Sequence, residues 1–286
     1  MRSNEILPVG VKVKLREGVS AVFSELRAAG FRHCQIGGSQ IAYMYGSEGR
    51  RNTRDLLNGI EGNEMTVTSV FMSFPNQVWS FEQMRSTVGL VPEEFRAERI
   101  AIACRTGTWA KEIGVDELVV HAGFIPDDPE SDLYKRFIVA MRSLALFLQS
   151  NGQRLNFETG QESVATLGRF IKDIGTDNLG VHFDPANLLI YDQDAPACLV
   201  EQLGRHVAHV HCKDGVRPPQ KGILGKEKRL GEGDAGFDNL LRGLYAVGFR
   251  GPLIIEREIP PGPEWMADVL HAKNIIEKIK DRLLPR

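Results

Sequence analysis

The sequence predicts an α/β fold in which eight parallel strands, each followed by a helix, close into one barrel. This is the (β/α)8 TIM-barrel arrangement, expected here as a single domain over residues 1–286. Three observations predict it. Strand-like and helix-like segments alternate about eight times, and strict alternation implies a parallel sheet with helical crossovers. No linker or low-complexity stretch interrupts the alternation. That many units in a chain of this length suit a closed barrel better than an open doubly wound sheet, whose first strand leads into a glycine-rich phosphate turn. Here the corresponding turn is Lys14-Leu15-Arg16-Glu17-Gly18, which is not glycine-rich.

The elements follow in order. Residues 9–14 read as the first strand and 19–29 as a helix with Val19, Val22, Phe23 and Leu26 on one face, stopped by Gly30. A strand at 33–36 ends in Gly37-Gly38, and 51–60 reads as helix. Residues 65–72 alternate and are rich in Val and Thr, the mark of a strand. A longer loop then carries Trp79 and Phe81. Pro92 suits the first turn of a helix running to 113. A strand at 117–120 leads into His121, and a strongly striped helix spans 131–149. Next come a strand to Glu158, a helix at 162–174, a strand to Asp184, a helix at 197–203 and a strand over 207–212. The last turns of the pattern are a helix at 237–247, the strand to Glu256 and a helix at 264–284.

Composition bounds the function. Hydrophobic residues make up 42% of the chain, enough for a large core, and the net charge of -2 gives no general affinity for polyanions. The four cysteines, Cys34, Cys104, Cys198 and Cys212, are widely spaced with no C-x-x-C pair. That pattern fits reduced thiols and a cytoplasmic protein, and argues against a disulfide scaffold or a cysteine-zinc site. Residues 1–9 contain no apolar signal-peptide core, and no apolar run approaches the roughly 18 residues of a membrane span.

Four short apolar runs stop at a residue able to ligate a metal: Leu155-Asn156-Phe157-Glu158, Val181-His182-Phe183-Asp184, Val207-Ala208-His209-Val210-His211 and Leu253-Ile254-Ile255-Glu256. In a barrel the strand C-termini share the active face, so Glu158, Asp184, His211 and Glu256 are expected to converge. Three carboxylates and one imidazole form an oxygen-rich set. It favours one divalent cation, Mn²⁺ first, with Mg²⁺ and Co²⁺ close behind and Zn²⁺ as an alternative. Alternation places Asn156, His182 and His209 on the same face, two residues before a ligand, where polar side chains orient a metal shell. His121 ends the fourth strand and is expected to line the substrate pocket. Glu162, four residues past Glu158, reads as a first-turn glutamate favoured by the helix dipole, and alternatively as a residue near the pocket if the helix starts early.

These motifs resemble the xylose isomerase-like TIM-barrel family of sugar isomerases, ketose 3-epimerases, dehydratases and apurinic endonucleases. The resemblance rests on Phe157-Glu158-Thr159-Gly160, Phe183-Asp184-Pro185-Ala186-Asn187, His209-Val210-His211-Cys212-Lys213-Asp214, Leu230-Gly231-Glu232-Gly233-Asp234 and Ile255-Glu256-Arg257-Glu258. It implies that Glu158, Asp184, His211 and Glu256 hold one divalent metal. It implies also that Glu158 and Glu256 act as an acid/base pair through an enediolate, and that Arg217 contacts substrate. The epimerase branch often carries a histidine three residues after the aspartate, where this chain has Asn187; that position is retained as a substrate-binding candidate.

The stretch from Lys213 to Arg229 holds six basic residues against Asp214 and Glu227. It reads as a solvated lid, with Lys213 and Arg217 facing substrate, and alternatively as a phosphate site. Trp79 and Phe81 serve either as the wall of a sugar pocket or as core or interface residues. The expected ligand is a small sugar or sugar derivative, with no nucleic acid or membrane, and an assembly of identical chains is compatible with the sequence. A lyase acting on the same site, by dehydration of a keto-polyol or eliminative cleavage of a 3-keto-glycoside, is the alternative reaction. An endonuclease is disfavoured by only seven histidines and the slightly negative charge.

Overall fold

The computed structural model describes residues 5–16 and 18–284. Ten strands are present among them: β1 (Val9–Lys14), β2 (His33–Gly37), β3 (Thr66–Phe71), β4 (Glu117–Val120), β5 (Arg154–Glu158), β6 (Leu179–Phe183), β7 (Val207–Cys212), β8 (Asp214–Val216), β9 (Lys226–Lys228) and β10 (Leu253–Ile255). Eight of them close into a barrel in the order β1-β10-β7-β6-β5-β4-β3-β2, with helices between successive strands, so the expected fold is the observed one. The strands are short and apolar because parallel strands under helices are covered on both faces; every residue of β2 and β6 is buried.

Two strands stand outside the barrel. β8 and β9 pair antiparallel, with Asp214 opposite Lys228 and Val216 opposite Lys226. The stretch read from sequence as an open lid is therefore a hairpin at its base. One side chain cinches it. The Asp214 carboxylate accepts backbone N–H groups from Gly215 (2.8 Å), Gly231 (2.9 Å), Gly233 (3.1 Å) and Ala235 (3.0 Å). A Cβ at Gly233 would collide with that carboxylate, which is why glycine stands there.

By contacts the chain divides into two compact units. The first comprises the chain up to Val11, Glu158–Arg169 and the chain from Val181 on; the second comprises Lys12–Phe157 and Phe170–Gly180. In the first unit β10 pairs with β7, Ile254 opposite His211, and β6 with β7, His182 opposite His209. In the second unit an aromatic cluster fills the space under the helices. Phe137 stacks on Phe170 at 5.1 Å, and Phe157 meets Phe170 edge-on at 5.0 Å. All four cysteines are free thiols. Among the described residues no helix is long and apolar enough to cross a membrane.

The loop after β3 is held by buried cations rather than by strands. Arg99, fully buried in the helix Glu93–Glu112, donates to the carbonyls of Gly89 (2.7 Å), Pro75 (2.9 Å) and Asn76 (3.3 Å). Gly89 adopts φ +79, and a Cβ there would overlap the backbone of Ala122 and Gly123. Both the left-handed backbone and the close approach demand glycine. Gly89→Ala is expected to lower stability by about 2 kcal/mol or more, read as the urea midpoint at unchanged slope; an unshifted midpoint would show that the loop is not held as described.

Candidate functional site

Four strands of the barrel carry the candidate ligands. Glu158 is the last residue of β5, Asp184 follows Phe183 at the end of β6, His211 precedes Cys212 in β7, and Glu256 follows Ile255 of β10. All four side chains belong to the first unit and are buried. Their ligand atoms all lie within 4.8 Å of one another. The centre of the group is His211 Nδ1, 2.7 Å from Glu158 Oε1, 2.9 Å from Glu256 Oε2 and 3.4 Å from Asp184 Oδ2.

Three carboxylates this close and this buried repel one another unless positive charge stands between them. Within the protein that charge comes from two side chains. Burial alone would lower the pKa of the His211 imidazole, but the Glu256 and Glu158 carboxylates outweigh it and hold it well above its ordinary value. Lys213 is buried too, and again burial is outweighed by carboxylates, Glu256 first and then Asp184. Its Nζ lies 3.4 Å from Glu256 Oε2, 3.6 Å from Asp184 Oδ2 and 3.0 Å from Glu258 Oε2. A buried, oxygen-rich donor set with an imidazole fits a divalent cation, and these four residues are the ones that would hold it.

Local chemistry holds the segments that carry Asp184 and Glu256. Asp184 caps the helix Pro185–Ile190, its Oδ1 accepting the Asn187 N–H at 3.0 Å, with Pro185 suited to the first helical turn. The Thr159 hydroxyl bridges two strand ends, accepting from Asp184 N and donating to Asp184 O, each at 2.8 Å. Arg257 is gripped by Asp268 (2.8 Å) and by Glu227 of β9 (3.1 Å). The Glu227 carboxylate also accepts the Glu258 N–H, so the hairpin is tied to the segment that carries Glu256.

The other sequence-derived candidates fall in different places. His182 stands edge-on to His211 with ring centroids 4.1 Å apart, and 5.7 Å from His209; both are buried, and His182 forms with Glu158 and His211 a second group that could hold a metal ion. Asn187 is buried, with its amide oxygen 3.4 Å from Lys213 Nζ and its N–H donated to Thr159 O. Arg217 is half-exposed and paired with Asp192 at 2.9 Å. Asn156 and His121 lie in the second unit. There Asn156 donates to Glu117 Oε2 at 2.9 Å and to Leu118 O at 3.2 Å, and His121 meets the rings of Phe71 and Trp79.

Three features escaped the sequence reading. Thr159 gave no signal beyond its place in a quoted motif. Glu258 follows the strand at a surface-like position, yet its carboxylate reaches Lys213. Glu162 is not a first-turn residue: the helix spans Val164–Ile174, and Glu162 sits buried in the turn ahead of it. Burial pushes its carboxyl up to about 8, and the Glu158 charge adds to the rise.

The family model for the xylose isomerase-like TIM barrel matches residues 23–275. The chain belongs to the xylose isomerase-like TIM-barrel family. An uncharacterized protein of Methanocaldococcus jannaschii is 26% identical to this family member over 162 residues; the match spans 52% of this chain and about half, 53%, of that protein. Among solved structures, a xylose isomerase domain protein from Planctomyces limnophilus superposes with a TM-score of 0.88 at 27% identity, covering 98% of this chain and 99% of its own. An L-ribulose 3-epimerase shares the fold at a TM-score of 0.73 and 17% identity, with 97% and 96% covered.

Two outcomes test the site. Thr159→Val keeps the side-chain shape but removes the hydroxyl that braces Asp184. It is expected to weaken divalent-metal binding by roughly 10–100-fold in a chelator competition, and unchanged affinity would remove Thr159 from the site. Glu162→Gln tests the buried carboxyl. A raised pKa contributes stability that is complete at acid pH and is lost as pH rises towards 8. Relative to the variant, the wild type should therefore lose about 1.4 kcal/mol per pH unit between about pH 5 and 8, measured by urea unfolding of chelator-treated protein. Parallel stability–pH curves would contradict it.

Proposed function

We propose that this protein is an enzyme, acting as one domain, that uses a single divalent cation to isomerise or epimerise a small sugar or polyol derivative. The observation that supports this most directly is the gathering of Glu158, Asp184, His211 and Glu256 within 4.8 Å at the ends of four barrel strands. The likeness to an L-ribulose 3-epimerase is consistent with it. When bound, the cation, with Mn²⁺ the first choice, supplies Lewis-acid stabilisation for negative charge developing on substrate oxygens.

The chain's own residues do the rest. One of Glu158 and Glu256 takes a proton from the carbon next to the substrate carbonyl at a carboxylate oxygen, and the other delivers a proton. Return to the opposite face inverts the carbon, and return to the neighbouring carbon moves the carbonyl. Asp184 and His211 fix the distance between the two glutamates, and His182 and His209 fix the His211 ring. Lys213 and Asn187, side by side and buried, are the groups offered to substrate oxygens. Burial keeps bulk water from competing for the abstracted proton.

The test is metal analysis together with solvent-deuterium exchange into ketoses and 3-keto-glycosides. About one equivalent of metal per chain and deuterium in a product of unchanged mass otherwise are expected. A dehydrated or cleaved product would assign the same site to a lyase, and neither metal nor exchange would overturn the reading. Glu158→Gln and Glu256→Gln are each expected to slow exchange by roughly 10²–10⁴-fold at metal concentrations that keep the site loaded. Full activity in both variants would exclude the acid/base pair.

A further inference from the structure

One buried amide of the first unit has no settled partner in the fold. Gln161, three residues past Glu158, is 5% exposed. Neither its amide oxygen nor its amide nitrogen makes a hydrogen bond of ordinary length and angle among the described residues. The turn that carries it is fixed at both ends against the segment after β6. At one end the Thr159 hydroxyl bonds Asp184, and the Thr159 carbonyl accepts from the Asn187 amide at 3.2 Å. At the other the Asp194 carboxylate accepts the Val164 N–H at 2.7 Å. Tyr191 lies between those anchors in sequence, at the end of the helix Pro185–Ile190, its N–H donated to Asn187 O at 2.9 Å. Burial pushes the Tyr191 phenol up, Lys213 and Gln161 draw it back, and Glu258 and Glu158 push it further. The phenol is therefore within reach of the Gln161 amide and borders the same space as Lys213.

Buried polar groups are normally bonded, and an exception calls for a reason, because a desolvated amide with nothing to bond costs the folded chain stability. Packing does not supply the reason: a leucine of similar size would fill the space without that penalty. A ligand does. The amide offers an acceptor at Oε1 and two donors at Nε2, and the phenol offers one of each. Together they match an alcohol, which both gives and receives a hydrogen bond. They do not match a phosphate ester, which near neutral pH accepts only and brings about two negative charges. The surrounding charges oppose a phosphate as well. Glu258 and Glu158 act on the phenol already, and the Lys213 ammonium faces Glu258 (3.0 Å), Glu256 (3.4 Å) and Asp184 (3.6 Å).

We infer that Gln161 and Tyr191 form a subsite for an uncharged, hydroxyl-bearing part of the substrate, so that this centre takes a free sugar or polyol derivative and rejects its phosphate ester. The inference deepens the reading above and rests on it for the reaction, while the binding is measured without turnover. Binding meets a demand that the free protein leaves open. A ligand that lacks the hydroxyl, or carries a phosphate in its place, leaves the amide unbonded, and a site built to bond a hydroxyl discriminates strongly against such a ligand.

The experiment uses the full chain loaded with its divalent metal. Binding of ribulose, xylulose and fructose is compared with that of ribulose 5-phosphate, xylulose 5-phosphate and fructose 6-phosphate by titration calorimetry. The wild type is expected to bind at least one free sugar more tightly than its phosphate, by about 10-fold or more. Gln161→Leu is expected to weaken that free-sugar binding by about 10-fold with metal affinity unchanged. The urea midpoint of the ligand-free variant should equal or exceed that of the wild type, because the substitution removes an unbonded amide. Tyr191→Phe, which keeps the ring, is expected to weaken the same binding by about 3-fold or more. No free sugar bound, a phosphate bound as tightly as its free sugar, or an unchanged free-sugar affinity in either variant overturns the inference. So does a lowered urea midpoint in ligand-free Gln161→Leu, because the amide would then be bonded within the fold. Failure of the acid/base reading shows differently, as sugar binding that depends on Gln161 with no deuterium exchange in the wild type.

Discussion

Three carboxylates buried around one imidazole nitrogen are the constraint on which the first unit depends. Like charges this close in a poorly hydrated space are unfavourable unless a cation and a complete set of hydrogen bonds accompany them. The surroundings supply such bonds. The Thr159 hydroxyl and the Asn187 amide lock the turn around Asp184, and Lys213 spans Glu256 and Glu258. Glu227 reaches across from the hairpin to hold Arg257 and the Glu258 N–H. Each of these contacts limits how far a carboxylate can turn away from its neighbours. The chain thus keeps in place a charge arrangement that would otherwise fly apart.

Much of this was legible in the sequence, for a definite reason. Strand periodicity is two, so a run such as Val-His-Phe-Asp states both where a strand stops and which face its His occupies. The four candidate ligands and the buried pair His182 and His209 are read that way, and the register confirms the pair as direct neighbours. Periodicity gives a face but not a partner. Asn156 shares the expected face, yet its amide goes to Glu117 and Leu118. Glu162 was misplaced for a related reason: helix patterns locate a helix only to within a turn, and the two residues ahead of Val164 decide between a solvated first turn and a buried bend.

The basic stretch shows a further boundary of sequence reading. Counting cations between Lys213 and Arg229 leaves a solvated lid and a phosphate site both open, because a count is blind to what the cations face. Lys213 faces Glu256, Arg217 faces Asp192, and Arg229 faces Asp268. The N–H groups of Gly231 and Gly233 show the same boundary. Closely spaced N–H groups can cradle a phosphate, and here they cradle the chain's own Asp214 instead.

That grip by Asp214 has an evolutionary consequence. The segment pinned at its base is tied to the rest of the fold near its two ends, by Arg217 with Asp192 and by the Gly225 N–H with Ile190 O. Lengthening it costs little: each doubling adds about 0.6 kcal/mol of closure entropy. The stretch between Val216 and Lys226 therefore behaves as a cassette. It can gain, lose or exchange residues from one descendant to the next while the strands on either side keep their register and the carboxylates keep their places. A change confined to that stretch is therefore expected to leave the carboxylate cluster where it is.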